Sequence, residues 1–189
     1  MLARFRSYSQ CQRLHQCGGF KLSSVEWPKP NRNALIAFYG DPDANNDGQP
    51  GIAWEAQSLT FIEPPYPMFW SWSGQPAKRL RVHKKIAAPL SSVLHNIGSC
   101  LTTGFIKDHH LDQCGGAYTF RLMRGGNSLS MHSYGCAIDL APDLNPMGKK
   151  WREGQYMMPE TVVYLFKQQG AKWGGNWQRA DAMHFEWTA

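Results

Sequence analysis

The sequence lacks any long apolar run. Every apolar stretch in its 189 residues is far shorter than the ~20 residues that a membrane-spanning helix needs, so membrane insertion is not expected. The first 20 residues contain arginines but no apolar segment of the kind found in signal peptides. We therefore expect a protein that is made in the cytoplasm and that reaches any extracellular target by another route.

Two common metal motifs are also missing. The five cysteines are odd in number and none forms a C-x-x-C pair, which argues against a disulfide framework and against a thiolate zinc knuckle. There is no H-E-x-x-H sequence, so a helix-borne zinc site with its own glutamate base is excluded. Cys136 lies in an apolar run, and we predict that it is a small buried hydrophobic residue.

The sequence has fewer acidic than basic residues. Lys and Arg outnumber Asp and Glu by 20 to 14, which gives a net charge of +6. This balance suits an acidic partner such as a nucleic acid, an anionic wall polymer or a membrane surface. The basic residues are scattered, however, and the longest cluster, residues 78–85, is predicted to be a solvated strand and the entry of a helix. Nucleic-acid binding is therefore not expected.

Turn-forming residues and apolar periodicity divide the chain. Residues 31–75 contain many Pro, Gly, Asn and Asp residues, which predicts short strands and turns and no long helix. Helical spacing of apolar residues predicts a helix at 88–101, with Pro89 in its first turn. A second helix is predicted at 158–170, with Gly170 as its C-terminal stop.

Alternating patterns predict strands at residues 79–82, 117–122 and 184–187. Strands and helices that mix without a regular β-α-β rhythm indicate an α+β fold, here a single domain with a small antiparallel sheet. We divide the chain into a domain at residues 76–189 and an irregular N-terminal segment of unknown role at residues 1–75.

The segment D-A-N-N-D-G-Q-P-G-I-A-W is similar to the start of a calcium loop. Asp43, Asn45, Asp47 and Gly48 occupy suitable positions, but the twelfth position, where a bidentate glutamate is needed, is Trp54. We interpret the segment as an Asx and glycine turn rather than as a calcium site.

A carboxylate inside an apolar run is the strongest sign of a functional site. Asp139 follows Cys136-Ala137-Ile138, and a buried carboxylate is costly unless it is paired, hydrogen-bonded or bound to a metal. His132 lies seven residues upstream, and His184 lies near the C-terminus. Two histidines and one carboxylate are typical of a catalytic zinc site whose fourth position is left for water.

Such a site needs a proton acceptor, and Asp181, three residues before His184, is placed to serve as the base. A single histidine in a strand is more often a satisfied core residue than a ligand, so neither motif alone decides. The adjacent His109 and His110 are predicted to lie in a polar loop.

Two ordered motifs carry a family resemblance. The first is S-x-H-x-x-G-x-A-x-D, at residues 130–139, and the second is D-x-x-H-F-E, at residues 181–186. Together they resemble the D-alanyl-D-alanine carboxypeptidase / L-alanyl-D-glutamate peptidase family of zinc peptidases. This family includes vancomycin-resistance dipeptidases and several phage endolysins. The resemblance runs from about residue 76 to the end of the chain. It implies the fold that DD-peptidases share with hedgehog proteins and makes residues 76–189 a zinc peptidase domain.

The resemblance also implies roles for individual residues. His132, Asp139 and His184 would hold Zn²⁺, and Asp181 would be the catalytic base, an aspartate as in the endolysin branch. An arginine near the metal would bind a substrate carboxylate or the oxyanion, and Arg121 and Arg124 are both candidates. The proposed substrate-binding residues, in full, are Arg121, Arg124, Ser130, Trp173 and Trp177. For Trp173 the alternative is a place in the core, and for either arginine it is a surface charge.

The implied function is hydrolysis of peptidoglycan stem peptides, by a monomer of the phage-endolysin kind that acts on the bacterial wall after its release from the cytoplasm. The scissile bond stays open, because L-Ala–D-Glu, D-Ala–D-Ala and cross-link bonds need the same chemistry. The alternatives are a cellular carboxypeptidase in wall turnover and a zinc-containing module that binds the wall without cutting it.

Overall fold

The computed structural model describes residues 25–189, which contain five α-helices and seven β-strands. The helices are α1 (Arg32–Tyr39), α2 (Ile52–Ser58), α3 (Lys84–Cys100), α4 (Thr103–Asp108) and α5 (Glu160–Gln168). The strands are β1 (Leu59–Ile62), β2 (Phe69–Trp70), β3 (Leu80–His83), β4 (Gln113–Gly116), β5 (Ala137–Leu140), β6 (Lys172–Trp173) and β7 (His184–Glu186). Two short 3₁₀ turns lie at Met131–Tyr134 and Gly174–Asn176.

Five of the strands form one sheet in the order β2-β4-β5-β7-β6, and β1 pairs with β3 in a two-stranded sheet. Neighbouring strands are antiparallel except for β2 and β4, which pair in parallel at one edge. The predicted α+β fold with a small sheet is confirmed, and the parallel edge pair is an addition to it. None of the helices in the part of the chain described here is both long and apolar enough to cross a bilayer.

The helices contribute apolar faces to one core with the sheet. Leu90, Val93, Leu94 and Ile97 of α3 are fully buried. In α5, Phe166 stacks on Phe185 of β7 with ring centroids 3.7 Å apart. The rear of the strand that carries His184 is therefore fixed against a helix.

Most predicted elements are present, with one boundary that is wrong. The strands predicted at 79–82 and 184–187 correspond to β3 and β7, and the second predicted helix corresponds to α5. The helix predicted at 88–101 begins earlier, at Lys84, which places Pro89 in the second turn. The cause is His83, whose Nδ1 accepts a hydrogen bond from the Lys85 N–H at 3.1 Å and caps the helix.

The strand predicted at 117–122 is wrong. The strand in this region, β4, ends at Gly116, and Leu122 forms only an isolated bridge with Leu129. The backbone N–H of Tyr118 donates to the Arg81 carbonyl at 3.0 Å and that of Thr119 to the His132 carbonyl at 3.2 Å. The backbone of this segment therefore forms isolated hydrogen bonds instead of the regular pattern of a strand pair. Alternation of side chains alone was a misleading signal here.

Residues 32–70 share the core with the rest of the chain. Leu35 and Tyr39 of α1, together with Met68, belong to the same buried cluster as the sheet. The Tyr39 hydroxyl donates to the carbonyl of Trp187 at 2.6 Å. The boundary at residue 76 stays a prediction, and residues 1–24 of the N-terminal segment, with Cys11 and Cys17, lie outside the described residues.

The segment that is similar to a calcium loop forms side-chain-capped turns. Asp43 Oδ1 accepts hydrogen bonds from the N–H groups of Asp47 at 3.1 Å and Gly48 at 3.2 Å. Asp47 Oδ1 accepts in turn from the Gln49 N–H at 2.9 Å. The predicted Asx turn is confirmed.

Candidate metal centre

His132 is presented by a short 3₁₀ turn that has a cap at each end. At the start, Ser130 Oγ accepts a hydrogen bond from the His132 N–H at 3.4 Å. At the end, Gly135 adopts a left-handed conformation with φ of 64°. A Cβ there would lie 2.8 Å from the backbone nitrogen of His83, so only glycine fits this close approach. The conformation of the turn is therefore set by Ser130 and Gly135 of the first motif.

Asp139 and His184 come from adjacent strands. They lie directly opposite each other in the antiparallel pairing of β5 with β7. Side chains at such positions point to the same face of the sheet. The pairing brings residues from the two separated motifs together, as the sequence predicted.

The three potential ligand atoms converge on one point. His132 Nε2 lies 3.2 Å from His184 Nδ1 and 3.3 Å from Asp139 Oδ2, and His184 Nδ1 lies 2.9 Å from Asp139 Oδ1. Ligands at zinc bond lengths in a tetrahedron are separated by about 3.3–3.5 Å. The observed spacings approach that value. Within residues 25–189, no other set of three or more His, Cys, Asp or Glu side chains is arranged to hold a metal ion.

Hydrogen bonds on the far side of each ring determine which nitrogen faces this point. His132 Nδ1 lies 2.6 Å from the Ala117 carbonyl oxygen, which can only accept, so Nδ1 carries the proton and Nε2 is left with a lone pair. His184 lies between two carboxylates, with Nε2 3.1 Å from Glu186 Oε2 and Nδ1 2.9 Å from Asp139 Oδ1, so a proton kept on Nε2 for Glu186 leaves Nδ1 for a cation. In that form of His184, two nitrogen lone pairs and a carboxylate face one another, an arrangement that a cation stabilises.

The local charges favour a cation in the same place. Burial alone lowers the pKa of His184, but its hydrogen bonds to Asp139 and Glu186 outweigh burial and raise the pKa to about 10. Burial acts to raise the pKa of Asp139, yet the two histidines hold that pKa well below its usual value. The carboxylates create a field that favours positive charge, and the donor set fits Zn²⁺.

Asp181 lies beside the three ligand candidates: its backbone carbonyl accepts a hydrogen bond from the His184 N–H at 3.1 Å, while its side chain forms none with His132, Asp139 or His184. Its N–H donates to the Gly174 carbonyl at 2.9 Å, and a Cβ on Gly174 would lie only 2.6 Å from the Asp181 carbonyl oxygen. Its Oδ1 is buried and has no hydrogen-bond partner among residues 25–189. Burial, followed by the charge of Asp139, raises the pKa of Asp181. A carboxylate with a raised pKa and an unused lone pair is suited to accept a proton.

The two tryptophans proposed for substrate binding lie in different environments. Trp177 is 41% exposed, and its ring centroid lies 5.4 Å from that of His184. It can form a wall beside the metal site. Trp173 is buried, donates from Nε1 to the Ala182 carbonyl at 2.9 Å and packs edge-on against Trp151. The structure therefore places Trp173 in the core.

The three polar residues proposed for substrate binding also differ in their surroundings. The charge of Arg124 is close enough to lower the pKa of Asp181, against the larger effects that raise it, whereas Arg121 Nη1 donates to the Leu122 carbonyl at 3.3 Å. Both side chains are at least partly accessible to solvent. Ser130 is buried and its hydroxyl is engaged in the turn that presents His132. Arg124 is thus the arginine with an electrostatic link to the site, and substrate contact by these three residues stays a prediction.

His109, His110 and Cys136 lie where the sequence analysis places them, the two histidines in a turn after α4 and the cysteine in the core. His110 Nδ1 lies 2.5 Å from Asp143 Oδ2 in an exposed pair, and His109 stacks on Phe105 with ring centroids 4.1 Å apart. Cys136 is fully buried.

Sequence reasoning missed the hydrogen-bond partners of the two histidine nitrogens that face away from the site. The Ala117 carbonyl gave no signal, because any residue type supplies the same backbone group. Glu186 ends the second motif without an assigned role, although its spacing from His184 is informative: residues two apart in a strand lie on one face.

The match to known proteins is confined to the segment that builds the site. No significant match links the chain to a curated protein or to a solved structure. The sequence model of the family described as D-alanyl-D-alanine carboxypeptidase matches residues 124–187, which include Arg124, all three candidate ligands and Asp181. The match supports a peptidase. Residues 124–187 are thus similar to the D-alanyl-D-alanine carboxypeptidase family, the resemblance that the two motifs carry.

Proposed function

We propose that the protein is a zinc-dependent peptidase that hydrolyses peptidoglycan stem peptides. The observation that carries the proposal is the convergence of His132 Nε2, His184 Nδ1 and the Asp139 carboxylate within 3.3 Å of one another. Beside them lies the buried Oδ1 of Asp181, which has no hydrogen-bond partner in the described part of the chain. A binding module that only needs a structural ion has no use for a buried carboxylate with a raised pKa. The family match of residues 124–187 favours peptide hydrolysis over other metal-assisted reactions.

His132, Asp139 and His184 would hold the ion. When bound, Zn²⁺ supplies a Lewis acid that polarises the scissile carbonyl and makes water a better nucleophile near neutral pH. Asp181 accepts the proton of the attacking water and returns it to the leaving amine, with its pKa raised toward the range in which both transfers are efficient. Arg124 offers a planar pair of donors for a substrate carboxylate. The partly exposed ring of Trp177 lies beside His184, where it can contact substrate.

The finer assignment is an endolysin that is made in the cytoplasm and acts on the wall after release. It is supported by aspartate, rather than glutamate, at the base position, which resembles the endolysin branch. The net charge of +6 suits an anionic wall. A cellular carboxypeptidase in wall turnover is the alternative within the same chemistry.

Purified protein added to bacterial wall suspensions, with and without a chelator, tests the proposal. Loss of turbidity that the chelator abolishes and zinc restores is the expected result. Mass spectrometry of the released muropeptides then identifies the bond, since an endopeptidase frees the stem and a carboxypeptidase removes only its last residue. Binding to walls without any new peptide end would instead identify a non-catalytic module.

A further inference from the structure

Two further polar residues, Glu186 and Thr188, follow His184 on the same face of its strand. Residues 184, 186 and 188 alternate along one face, and all three are buried. Glu186 Oε2 lies 3.1 Å from His184 Nε2, and Thr188 Oγ1 donates to Glu186 Oε1 at 2.7 Å. Both oxygens of the buried carboxylate are thus engaged, in a chain that leads from Thr188 through Glu186 to His184.

This geometry excludes Glu186 as a ligand and as the base. The two nitrogens of an imidazole ring point away from each other, so a group bound to Nε2 lies on the side opposite to the group at Nδ1. His184 Nδ1 faces Asp139, and Glu186 is therefore behind the ring, away from the reacting atoms. Its role must act through His184.

We propose that Glu186 is a positioning residue that fixes the ring of His184, as the tautomer with its proton on Nε2, so that Nδ1 is held toward the metal. Thr188 orients the carboxylate for this purpose. The proposal rests on the proposed function only in assuming that the centre binds a metal, and it names no substrate.

The other histidine shows why a carboxylate matters here. His132 is oriented by the neutral Ala117 carbonyl, whereas His184 is oriented by a charged group. A carboxylate partner makes the ring a stronger ligand than a carbonyl does. It also supplies a second negative charge. The carboxylates of Asp139 and Glu186 together balance a divalent ion, so Asp181 is left to exchange its proton.

Three variants separate orientation from charge. Glu186→Ala removes both the hydrogen bond and the charge, Glu186→Gln keeps an oxygen that can accept from Nε2 but removes the charge, and Thr188→Val removes only the support of the carboxylate. Glu160→Gln is the matched control, because Glu160 is exposed at the start of α5. Circular dichroism of each chelator-treated variant first establishes that it is folded.

Zinc affinity is then measured by competition with a chromophoric chelator, and the geometry by the visible spectrum of the Co²⁺ form. We expect Glu186→Ala to weaken zinc binding about 10–100-fold, with smaller losses in Glu186→Gln and Thr188→Val and none in Glu160→Gln. The Co²⁺ spectrum of Glu186→Ala should also change. These losses would support the proposal even if the parent protein cut no peptide, a result that would remove only the proposed function. Parental zinc affinity and an unchanged Co²⁺ spectrum in Glu186→Ala would overturn the proposal, whatever happens to activity.

Discussion

Asp139 lies directly opposite His184 in the pairing of β5 with β7, and its Oδ1 is 2.9 Å from the Nδ1 of that histidine. The contact joins residues 45 positions apart in sequence. A slip of one residue in the strand pairing would turn one of the two side chains to the other face of the sheet. The register of this strand pair is therefore a condition for the metal centre, and the predictions below depend on it.

The first prediction is one tightly bound zinc per chain. His132→Ala should lose the metal and the activity together. The midpoint of thermal unfolding should fall by about 5–10 °C, because a ligand at 100 times its Kd contributes about 2.7 kcal/mol and each kcal/mol shifts a protein of this size by about 2–4 °C. Elemental analysis and calorimetry measure both effects. His110→Ala removes a histidine from the exposed pair with Asp143; it is the control and should keep its zinc. Parent protein that contains no zinc, and that gains no activity from added zinc, would refute the assignment of His132, Asp139 and His184 as zinc ligands.

The second prediction concerns Asp181→Asn. The amide cannot take a proton from water, so turnover should fall on the order of 10²–10⁴-fold while zinc occupancy is unchanged. In the parent, the raised pKa of Asp181 should place the acidic limb of the pH–rate profile above the usual aspartate range, and the variant should lack that limb.

The same substitution should not lower stability at neutral pH. A carboxyl group whose pKa is raised by folding stabilises the protein below its unfolded pKa, and this contribution is lost as the pH rises through the folded pKa. Above the folded pKa the ionised, buried Asp181 is therefore unfavourable, and the thermal midpoint of Asp181→Asn should equal or exceed that of the parent. A variant that loses zinc would show that Asp181 supports the metal instead of acting as the base.

The third prediction separates the two arginines. Arg124→Lys should lower kcat/KM by about tenfold or more, because lysine keeps the charge and loses the planar fork, and hydrogen bonds to charged groups contribute about 1.5–3 kcal/mol. Arg121→Lys is the matched control and should be close to the parent, since Arg121 Nη1 donates to the neighbouring Leu122 carbonyl. Steady-state kinetics on a purified muropeptide measure both. Full turnover by Arg124→Lys would place the substrate clamp elsewhere.

The fourth prediction is a loss of stability on mild acidification that arises from His83. Burial lowers the pKa of His83 to about 4, although the hydrogen bond from Nε2 to the Tyr39 carbonyl at 3.0 Å acts to raise it; the neutral ring caps α3 through Nδ1. The unfolded chain takes up a proton near pH 6.5 and the folded chain does not. The contribution of His83 is thus complete above pH 6.5 and is lost as the pH falls from there toward 4.

His83→Asn retains a side chain that can cap a helix and cannot be protonated. The free energy of unfolding of this variant should depend less on pH between 6.5 and 4 than that of the parent, as measured by urea titration at several pH values. His95→Gln, at an exposed site on α3, controls for the loss of a histidine. Identical pH dependence in the parent and His83→Asn would show that His83 is not a source of this acid sensitivity.

The ligand set was predictable because an aspartate in an apolar run needs a partner and because the two ordered motifs together resemble a zinc peptidase family, although neither motif alone decides. The structure brings the three residues together. The segment 117–122 was predicted wrongly as a strand, because its backbone partners are Arg81 and His132, which lie far from it in sequence. Trp173 lies in the core and Trp177 lies beside His184. This difference could not be predicted, because the two residues are chemically identical and only the path of the chain after β6 gives them different surroundings.

Tyr39 has a consequence for the smallest fragment that can be expressed. Its carbonyl accepts hydrogen bonds from Trp54 Nε1 at 2.9 Å and from His83 Nε2, and its hydroxyl binds the Trp187 carbonyl immediately after β7. Recombinant protein that begins at residue 76 would leave the buried His83 ring and the Trp187 carbonyl without these partners. Shortened versions intended for wall-lysis assays or crystallisation should therefore begin before Arg32, so that α1 is retained.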